Sequence, residues 1–258
     1  MHTLFRIRIL AQYGLYEGWR GYIFLISVVL MLACAGLAEF GGLLVLTDSW
    51  QTRIALYAFT ARIAVISIIA IYVINSLIRD RIDKQTEWHL SIDSPRHVYL
   101  YGRVAGFLIT GLIMAILAGI YPLMYVPNPD VLLWVISLFA ETAVIIMLAV
   151  FIAVTFNNSV VGFIAVGAFY LLARNIGNFV LIARSPILEG GNETANIAGY
   201  LIKAVHFIMP DFWQYADSSW LLYGDGSLAG LALIIFEALI FSLLLLFAAS
   251  IDLYRKNL

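Results

Sequence analysis

The sequence predicts an all-α polytopic membrane protein with six transmembrane helices, and composition, hydropathy and run length all point to that fold class. Of its 258 residues, 63% are hydrophobic and 12% are charged, whereas soluble domains are about 45–50% apolar and about 25% charged. The mean hydropathy is +0.95. The apolar runs are continuous, as in helices that cross a hydrocarbon core of about 30 Å, and they lack the alternation of a membrane β-barrel.

Six apolar runs of about 20 residues or more are long enough to span the membrane. Turn-forming residues separate them, for example at 47–49 and 157–159. We therefore predict one transmembrane domain over residues 1–258. Gly102 and Gly106, near the start of the third span, have the small-xxx-small spacing that permits close helix packing. The predicted spans cover residues 21–46, 54–78, 104–125, 131–155, 160–183 and 229–251.

Two segments outside the spans also carry helical patterns. Residues 3–19 mix apolar and basic positions and end at Trp19, which predicts an interfacial helix within residues 1–20. The second pattern lies in the long external segment, residues 184–228, where an apolar stripe at helical spacing ends before Pro210. This stripe covers only about 12–14 residues, which is too short to span and predicts an interfacial or re-entrant helix.

A further short helix is predicted between Pro210 and the last span. Aspartate is a residue type that caps helix N-termini, so we expect Asp211 to cap a helix over residues 212–223. Its Trp213, Tyr215 and Trp220 are aromatic residues of the kind that lie at the headgroup level of a membrane. The external segment is thus expected to hold short external or re-entrant helices.

The distribution of basic residues predicts which ends of the spans face the cytoplasm. Segments 1–20, 79–103, 156–159 and 252–258 hold ten of them, and the segments on the other side hold three. Cytoplasmic loops are enriched in Lys and Arg. We therefore expect a multi-pass protein of a bacterial-type plasma (inner) membrane, with both termini and a loop over residues 79–103 on the cytoplasmic side. The three are Arg53, Arg184 and Lys203, and the ten are Arg6, Arg8, Arg20, Arg79, Arg81, Lys84, Arg96, Arg103, Arg255 and Lys256.

Several classes of function lack the residues that they need. A net charge of −1 gives no basic field for nucleic acid, and the single Cys34 excludes a cysteine-based metal site. No GxxxxGK[ST] loop occurs, so the chain does not bind ATP in the P-loop manner. Asp80 and Asp83 form a DxxD pair, which we interpret as a solvated helix end. We therefore expect no catalytic residue, metal or cofactor in this chain.

The loop after the second predicted span carries a family resemblance. It reads DRIDKQTEWHLSIDSPR over residues 80–96, and a Gly-Arg pair at 102–103 leads into the third span. This loop resembles that of the membrane subunits of ABC-2-type (type V) ABC transporters, where a pattern like T-(I/L)-E-x-L-L-x-S-P precedes L-G-(K/R). Ser94-Pro95 and the Gly-Arg pair match that pattern, and Thr86-Glu87 matches it loosely. Arg96 departs from it, because the family often has its Arg two or three residues after the proline.

The layout of the whole chain is similar to the same family. The shared features are an N-terminal interfacial helix, six spans, a long external segment before the last span and a short basic tail. Residues 209–212 look like the family's Pro-containing segment. The resemblance implies a permease that works as a dimer, with a second copy of itself or a homologous permease. It also implies separate P-loop ATPase subunits that bind ATP and Mg²⁺, and most often export.

The 79–103 loop has the composition of a docking element for those ATPases. A coupling element needs a short helix with apolar anchors and polar edges, which Trp88, Leu90 and Ile92 among acidic and polar neighbours could supply. Pro95 would end that helix. The alternative is a loop that only connects two spans. The candidate coupling residues are Thr86, Glu87, Trp88, His89, Leu90, Ser94, Pro95 and Arg96.

Five ionisable residues fall within the predicted spans at similar depths, and we call them the charge layer. A charge at the centre of a span costs roughly 2.5–3.5 kcal/mol on insertion scales, so each needs a partner or a watery cavity. Two interpretations stay open: ion pairs that fix the packing of one subunit, or a gate or substrate-contact layer. The five are Glu39, Arg62, Glu141, Arg174 and Glu237.

These observations predict a transport subunit, not an enzyme. Its function would be that of an ATP-driven permease, coupled to partner ATPases through the 79–103 loop and surrounded by membrane lipid. Two alternatives stay open at this point: a multipass membrane enzyme that acts on lipid, and a membrane scaffold subunit that does not transport. An ATPase that copurifies with the chain would distinguish the permease from both.

Overall fold

The computed structural model describes residues 2–45, 47–82, 96–126, 128–156, 158–183 and 209–255, together with residues 202 and 205. In this part of the chain, six helices (α2 to α6, and α8) are long and apolar enough to cross a membrane, which confirms the predicted fold class. The helices are α1 His2–Arg20, α2 Ile23–Leu43, α3 Ser49–Ile82, α4 Arg96–Gly119, a 3₁₀ turn Pro122–Met124, α5 Asn128–Thr155, α6 Ser159–Ala183, α7 Ser218–Tyr223 and α8 Leu228–Arg255.

The core of the bundle lies along α5 and α3. The most apolar stretch of α5 is 78% buried and that of α3 is 56% buried, whereas the corresponding values for α2 and α8 are 22% and 17%. Apolar side chains therefore cover the outer faces of α2 and α8, as expected of helices that contact lipid or a neighbouring subunit. Because the spanning helices alternate in direction, α1 lies at one end of the bundle, the α1 end, and α7 lies at the far end.

The second spanning helix is longer than predicted. At 34 residues, α3 extends roughly 51 Å at 1.5 Å per residue, whereas the hydrocarbon core is only about 30 Å thick. Its last turns, up to Ile82, belong to the predicted loop 79–103, and α4 already begins at Arg96. Both ends of that segment are therefore helical, and its Asp80 and Arg103 pair inside the bundle.

The N-terminal helix is present where the sequence predicts it, and it packs against the beginning of α4. A Cβ atom added to Gly102 would lie 2.5 Å from the Leu10 Cβ, and one added to Gly106 would lie 3.0 Å from the Ala11 carbonyl oxygen. Neither glycine could carry a side chain without moving α1 away. The close packing predicted for these two glycines is confirmed, and α1 is the partner.

The segment before the last span differs from its prediction. The cap residue is Asp217, whose carboxylate accepts a hydrogen bond from the Ser219 N–H at 3.2 Å, and α7 covers only Ser218–Tyr223. Asp211 does not cap a helix, because the residues after it form turns, with backbone hydrogen bonds such as the one from the Gln214 N–H to the Asp211 carbonyl oxygen. The apolar stripe predicted before Pro210 lies outside the described residues, apart from residue 205.

Candidate functional site

The predicted coupling residues fall mostly outside the part of the chain that the structure describes. Arg96 is described as the first residue of α4. The helices on either side, α3 and α4, are described, so the base from which the loop extends is defined. Thr86, Glu87, Trp88, His89, Leu90, Ser94 and Pro95 lie outside the described residues.

A buried polar network joins the ends of α1, α3 and α4 at this base, and we call its members, Glu17, Ser76, Asp80, Tyr99 and Arg103, the basal cluster. The Arg103 guanidinium lies 2.7 Å from Asp80 Oδ2 and 2.8 Å from Glu17 Oε2. It also donates to Ser76 Oγ at 2.6 Å, and the Tyr99 hydroxyl donates to Asp80 Oδ2 at 2.6 Å. Arg103 is 1% exposed, so it is a buried cation between two carboxylates.

The interpretation of Asp80 as part of a solvated helix end was wrong. Asp80 is 5% exposed and belongs to the basal cluster. A carboxylate buried at this position needs a close cation, which Arg103 supplies from the neighbouring helix. The Tyr72 hydroxyl adds a further tie to α1 by donating to the Gly14 carbonyl oxygen at 2.7 Å. Together these contacts fix α1 to the two helices that flank the predicted coupling loop.

A second polar region lies inside the bundle, where residues 209–217 form a non-helical segment that we call the re-entrant turn. Its Ala216 is fully buried. The Ala216 carbonyl oxygen accepts a hydrogen bond from the Trp134 indole N–H at 3.0 Å and another from the Arg62 guanidinium. The Ala216 N–H donates to Ser137 Oγ at 2.8 Å. Side chains of α3 and α5 thus satisfy the backbone of this turn.

The other side of the re-entrant turn is held by α6 and α8. The Arg174 guanidinium donates to the Phe212 carbonyl oxygen, and also to that of Tyr215 at 2.9 Å. Glu237 accepts from the Asp211 N–H at 2.7 Å. The Tyr215 hydroxyl donates to a carbonyl oxygen of α8 at 3.3 Å.

The helix positions of these contacts show that the turn enters the bundle. Arg62 lies 13 residues after Ser49, the start of α3, which is roughly 20 Å along the axis. Glu141 lies 13 residues after Asn128, the start of α5, at a similar distance from that end. Irregular backbone at membrane depth is stable only inside protein, with its polar groups bonded. The hydrogen bonds of the re-entrant turn meet that requirement.

Glu141 lies beside both arginines without close contact to either. Its carboxylate oxygens are 3.9 Å from the Arg62 Nε and 3.8 Å from the Arg174 guanidinium. The carboxylate is fully buried, and no hydrogen bond of ordinary geometry reaches it from the described residues, although the Tyr170 hydroxyl lies next to it. Glu141 therefore places one negative charge beside the two arginines, whose N–H groups bond to the backbone of the turn.

The structure brings four residues of the predicted charge layer together around the re-entrant turn, namely Arg62, Glu141, Arg174 and Glu237. Glu39 is not among them. It lies four residues from the end of α2, forms an ion pair with Arg53 at 3.1 Å, and accepts hydrogen bonds from two tyrosines, at 2.8 and 2.6 Å. The tyrosines are Tyr121 and Tyr125.

Sequence reasoning missed the basal cluster and the backbone partners of the arginines. Opposite charges at the adjoining ends of two spans, Asp80 and Arg103, were a signal that could have identified the first. Within the described residues, no group of three or more His, Cys, Asp or Glu could hold a metal ion. The two polar regions position helices and backbone. A comparison with protein-family models finds no match for this chain, and a comparison with curated proteins finds none either.

Proposed function

We propose that this chain is the permease subunit of an ATP-driven transporter of the ABC-2 type, working as an exporter with separate P-loop ATPase subunits. One observation carries the proposal. The continuous helix α3, Ser49–Ile82, bonds to the basal cluster near one end and to the re-entrant turn along its length. The predicted coupling loop follows directly after α3, so a movement of that loop would reach the turn through a single rigid element.

The basal cluster supports this proposal because it joins the base of the loop into one unit. Residues 83–95 connect α3 to α4, and Arg103 of α4 bonds to Asp80 of α3 and to Glu17 of α1. Short, buried, charge-assisted hydrogen bonds resist separation more than neutral ones do. An ATPase that displaces the loop would therefore move three helices together instead of bending one.

The re-entrant turn is the proposed gate of the transport pathway. It lies between α3, α5, α6 and α8, and its backbone is held by Arg62 and Arg174. When α3 moves, the bond from Arg62 to Ala216 has to break or carry the turn along. In the alternative interpretation these contacts only fix the packing of the subunit.

The remaining features of the proposed assembly rest on composition and on the outer faces of the bundle. ATP and Mg²⁺ would bind to the partner ATPases, so this chain needs no cofactor of its own. The apolar faces of α2 and α8 would contact lipid and a second copy of the chain or a homologous permease. The excess of basic residues supports the proposed orientation, with the termini and the loop on the cytoplasmic side of a bacterial-type inner membrane.

A purification from native membranes tests the proposal. The affinity-tagged chain should copurify with a P-loop ATPase identified by mass spectrometry, and the complex should hydrolyse ATP. Glu87→Lys and Trp88→Ala should reduce the amount of that ATPase by about tenfold or more, on the scale of an interface hot spot of roughly 2 kcal/mol. Trp50→Ala, a matched substitution of a half-exposed tryptophan at the far end, should leave the ATPase bound.

Two results would contradict the proposal. One is a tagged chain that is inserted and folded but brings down no P-loop ATPase even after chemical cross-linking. The other is an ATPase whose amount and activity are unchanged in both loop variants. The first result would favour the scaffold or the lipid enzyme, and the second would remove the 79–103 loop from the coupling mechanism.

A further inference from the structure

Two adjoining cavities lie on the α3 side of the elbow between α1 and α2. One has a volume of about 310 Å³ and an apolar wall formed by Ile23 and Ile26 of α2 and Ile68 and Ile71 of α3. The other has a volume of about 500 Å³ and a polar wall. The residues common to both are Glu17, Gly21 and Arg79. The two cavities together therefore form one site with an apolar part and a polar part.

The elbow places this site at the edge of the hydrocarbon core. The spanning helix α2 begins at Ile23, so the isoleucine cavity lies at the level of lipid acyl chains and the polar cavity lies at the level of headgroups. Trp19 and Tyr22 at the elbow are 74% and 69% exposed. Exposed aromatic residues of this kind are typical of the membrane–water interface, which agrees with that placement.

Two arginines, Arg20 and Arg79, line the polar cavity together with two carboxylates, Glu17 and Asp80. Both carboxylates are bound from behind by the buried Arg103, which does not line the cavity. Among the described residues, three guanidiniums and two carboxylates therefore lie at this place. The residual charge of +1 favours an anion, and guanidinium groups bind phosphate through charge-assisted hydrogen bonds.

We propose that this site binds an anionic phospholipid of the leaflet at the α1 end. The lipid phosphate would lie at Arg20 and Arg79, and one acyl chain would lie between Ile26 and Ile71. The apolar cavity distinguishes this ligand from free phosphate, which has no group to fill it. Because Glu17 lines both cavities and also belongs to the basal cluster, the bound lipid would contact the unit that carries the coupling loop. The lipid site does not depend on the proposed transport function.

Native mass spectrometry of the full-length, delipidated protein tests this proposal with defined lipids. After addition of phosphatidylglycerol, the protein should retain about one lipid per chain at limiting concentration, and phosphatidylcholine should be retained at least about tenfold less. Arg20→Gln removes one charged contact and should weaken phosphatidylglycerol retention by about tenfold. Ile71→Trp fills the apolar cavity and should weaken it to a similar extent.

Two matched variants and two reference ligands keep the test specific. Arg8→Gln changes an exposed arginine of the same helix outside the cavities, and Leu239→Trp changes an exposed apolar residue of α8. Both should retain phosphatidylglycerol as the parent protein does. Inorganic phosphate alone should not raise the melting temperature, whereas phosphatidylglycerol should. Lipid-free melting temperatures of all four variants, which change exposed side chains, establish that each is folded.

Four outcomes would overturn the proposal. Equal retention of the two lipids would show that the site does not select for charge. Stabilisation by phosphate alone would show that the ligand is free phosphate and not a lipid. Unchanged retention in Ile71→Trp would show that no acyl chain binds in the isoleucine cavity. A change of oligomeric mass in Ile71→Trp, with lipid retention intact, would identify the isoleucine cavity as a contact between copies of the chain.

Discussion

The basal cluster and the region around the re-entrant turn both bury arginine beside carboxylate, but they use the charges differently. In the basal cluster, the Arg103 guanidinium lies 2.7 and 2.8 Å from its two carboxylates. Around the turn, the two arginines stay 3.8 and 3.9 Å from Glu141 and donate instead to backbone carbonyl oxygens. The first arrangement joins three helices, and the second satisfies a stretch of irregular backbone.

The difference follows from what each region contains. The basal cluster lies between regular helices, whose backbone groups already bond to one another, so its side chains are available to pair. The re-entrant turn brings unpaired carbonyl groups into the bundle, and an unsatisfied buried carbonyl costs about 1–3 kcal/mol. Arginine, with five N–H donors, can serve such carbonyls while it still lies near a carboxylate. We expect the two regions to respond differently to substitution.

The largest effect is expected from Arg103→Ala. It leaves Asp80 buried without a close cation, and removal of one partner of a buried pair typically costs about 3–5 kcal/mol. The melting temperature and denaturant stability in detergent should fall accordingly. Arg103→Ala combined with Asp80→Asn should recover part of the loss, and Arg255→Ala, an exposed arginine of α8, should have little effect. Strictly additive single and double variants would show that the two side chains do not interact.

A somewhat smaller loss is expected where α1 packs on α4. Gly102→Val places atoms where Leu10 already lies, and overpacking of this kind costs typically about 1–3 kcal/mol. It should also weaken the basal cluster, because α1 has to move away. Gly36→Val is the matched control, since a side chain at that exposed glycine meets no atom within 4 Å. Equal stability of the two variants would place the close packing of α1 in doubt.

The re-entrant turn should loosen when one of its arginines is lost. In a Cys34→Ala background, the thiol introduced by Ala216→Cys is buried and should react slowly with a maleimide. Adding Arg62→Gln removes the guanidinium that holds this carbonyl, and the rate should rise by about tenfold, which corresponds to roughly 1.4 kcal/mol. Arg53→Gln, whose ion pair is with Glu39, should leave the rate unchanged. A rate that Arg62→Gln does not alter would mean that packing alone holds the turn.

The smallest effect is expected for the direct coupling between Arg62 and Glu141. Neighbouring residues couple by about 0.5–3 kcal/mol in double-mutant cycles, and this pair should lie at the low end because its charges are 3.9 Å apart and share no hydrogen bond. The cycle for Asp80 and Arg103 should lie at the high end. If Arg62→Gln leaves the melting temperature nearly unchanged while transport falls, the gate is favoured over a packing role. Equal coupling energies in the two cycles would remove the distinction between the two regions.

The spans could be predicted because length and hydropathy alone determine whether a helix can cross a bilayer. Their ends could not, because a charge near the end of a span has two outcomes that the local sequence does not separate. Asp80 and Arg103 were assigned to an aqueous loop, where isolated charges belong. They stay helical and buried because each neutralises the other, and that pairing depends on how α3 and α4 pack.

The site was harder to predict than the fold, for reasons visible at two residues. Asp211 was predicted to cap a helix, but its N–H donates to Glu237 of α8, 26 residues away, and the helix begins only after Asp217. The similar depth of Arg62 and Arg174 predicted that they lie together. It could not predict their main partners, because these are backbone carbonyl oxygens, which every residue carries.

The elbow between α1 and α2 implies an order of assembly during synthesis. Tyr22 has φ 58° and ψ 16°, a left-handed conformation that costs roughly 1–2 kcal/mol for a residue with a side chain. The bend that it makes directs α1 toward α3 and α4, where Glu17 meets Ser76 and Arg103, 59 and 86 residues later in the chain. Helix α1 therefore cannot complete its docking until the third spanning helix, which carries Arg103, has been made.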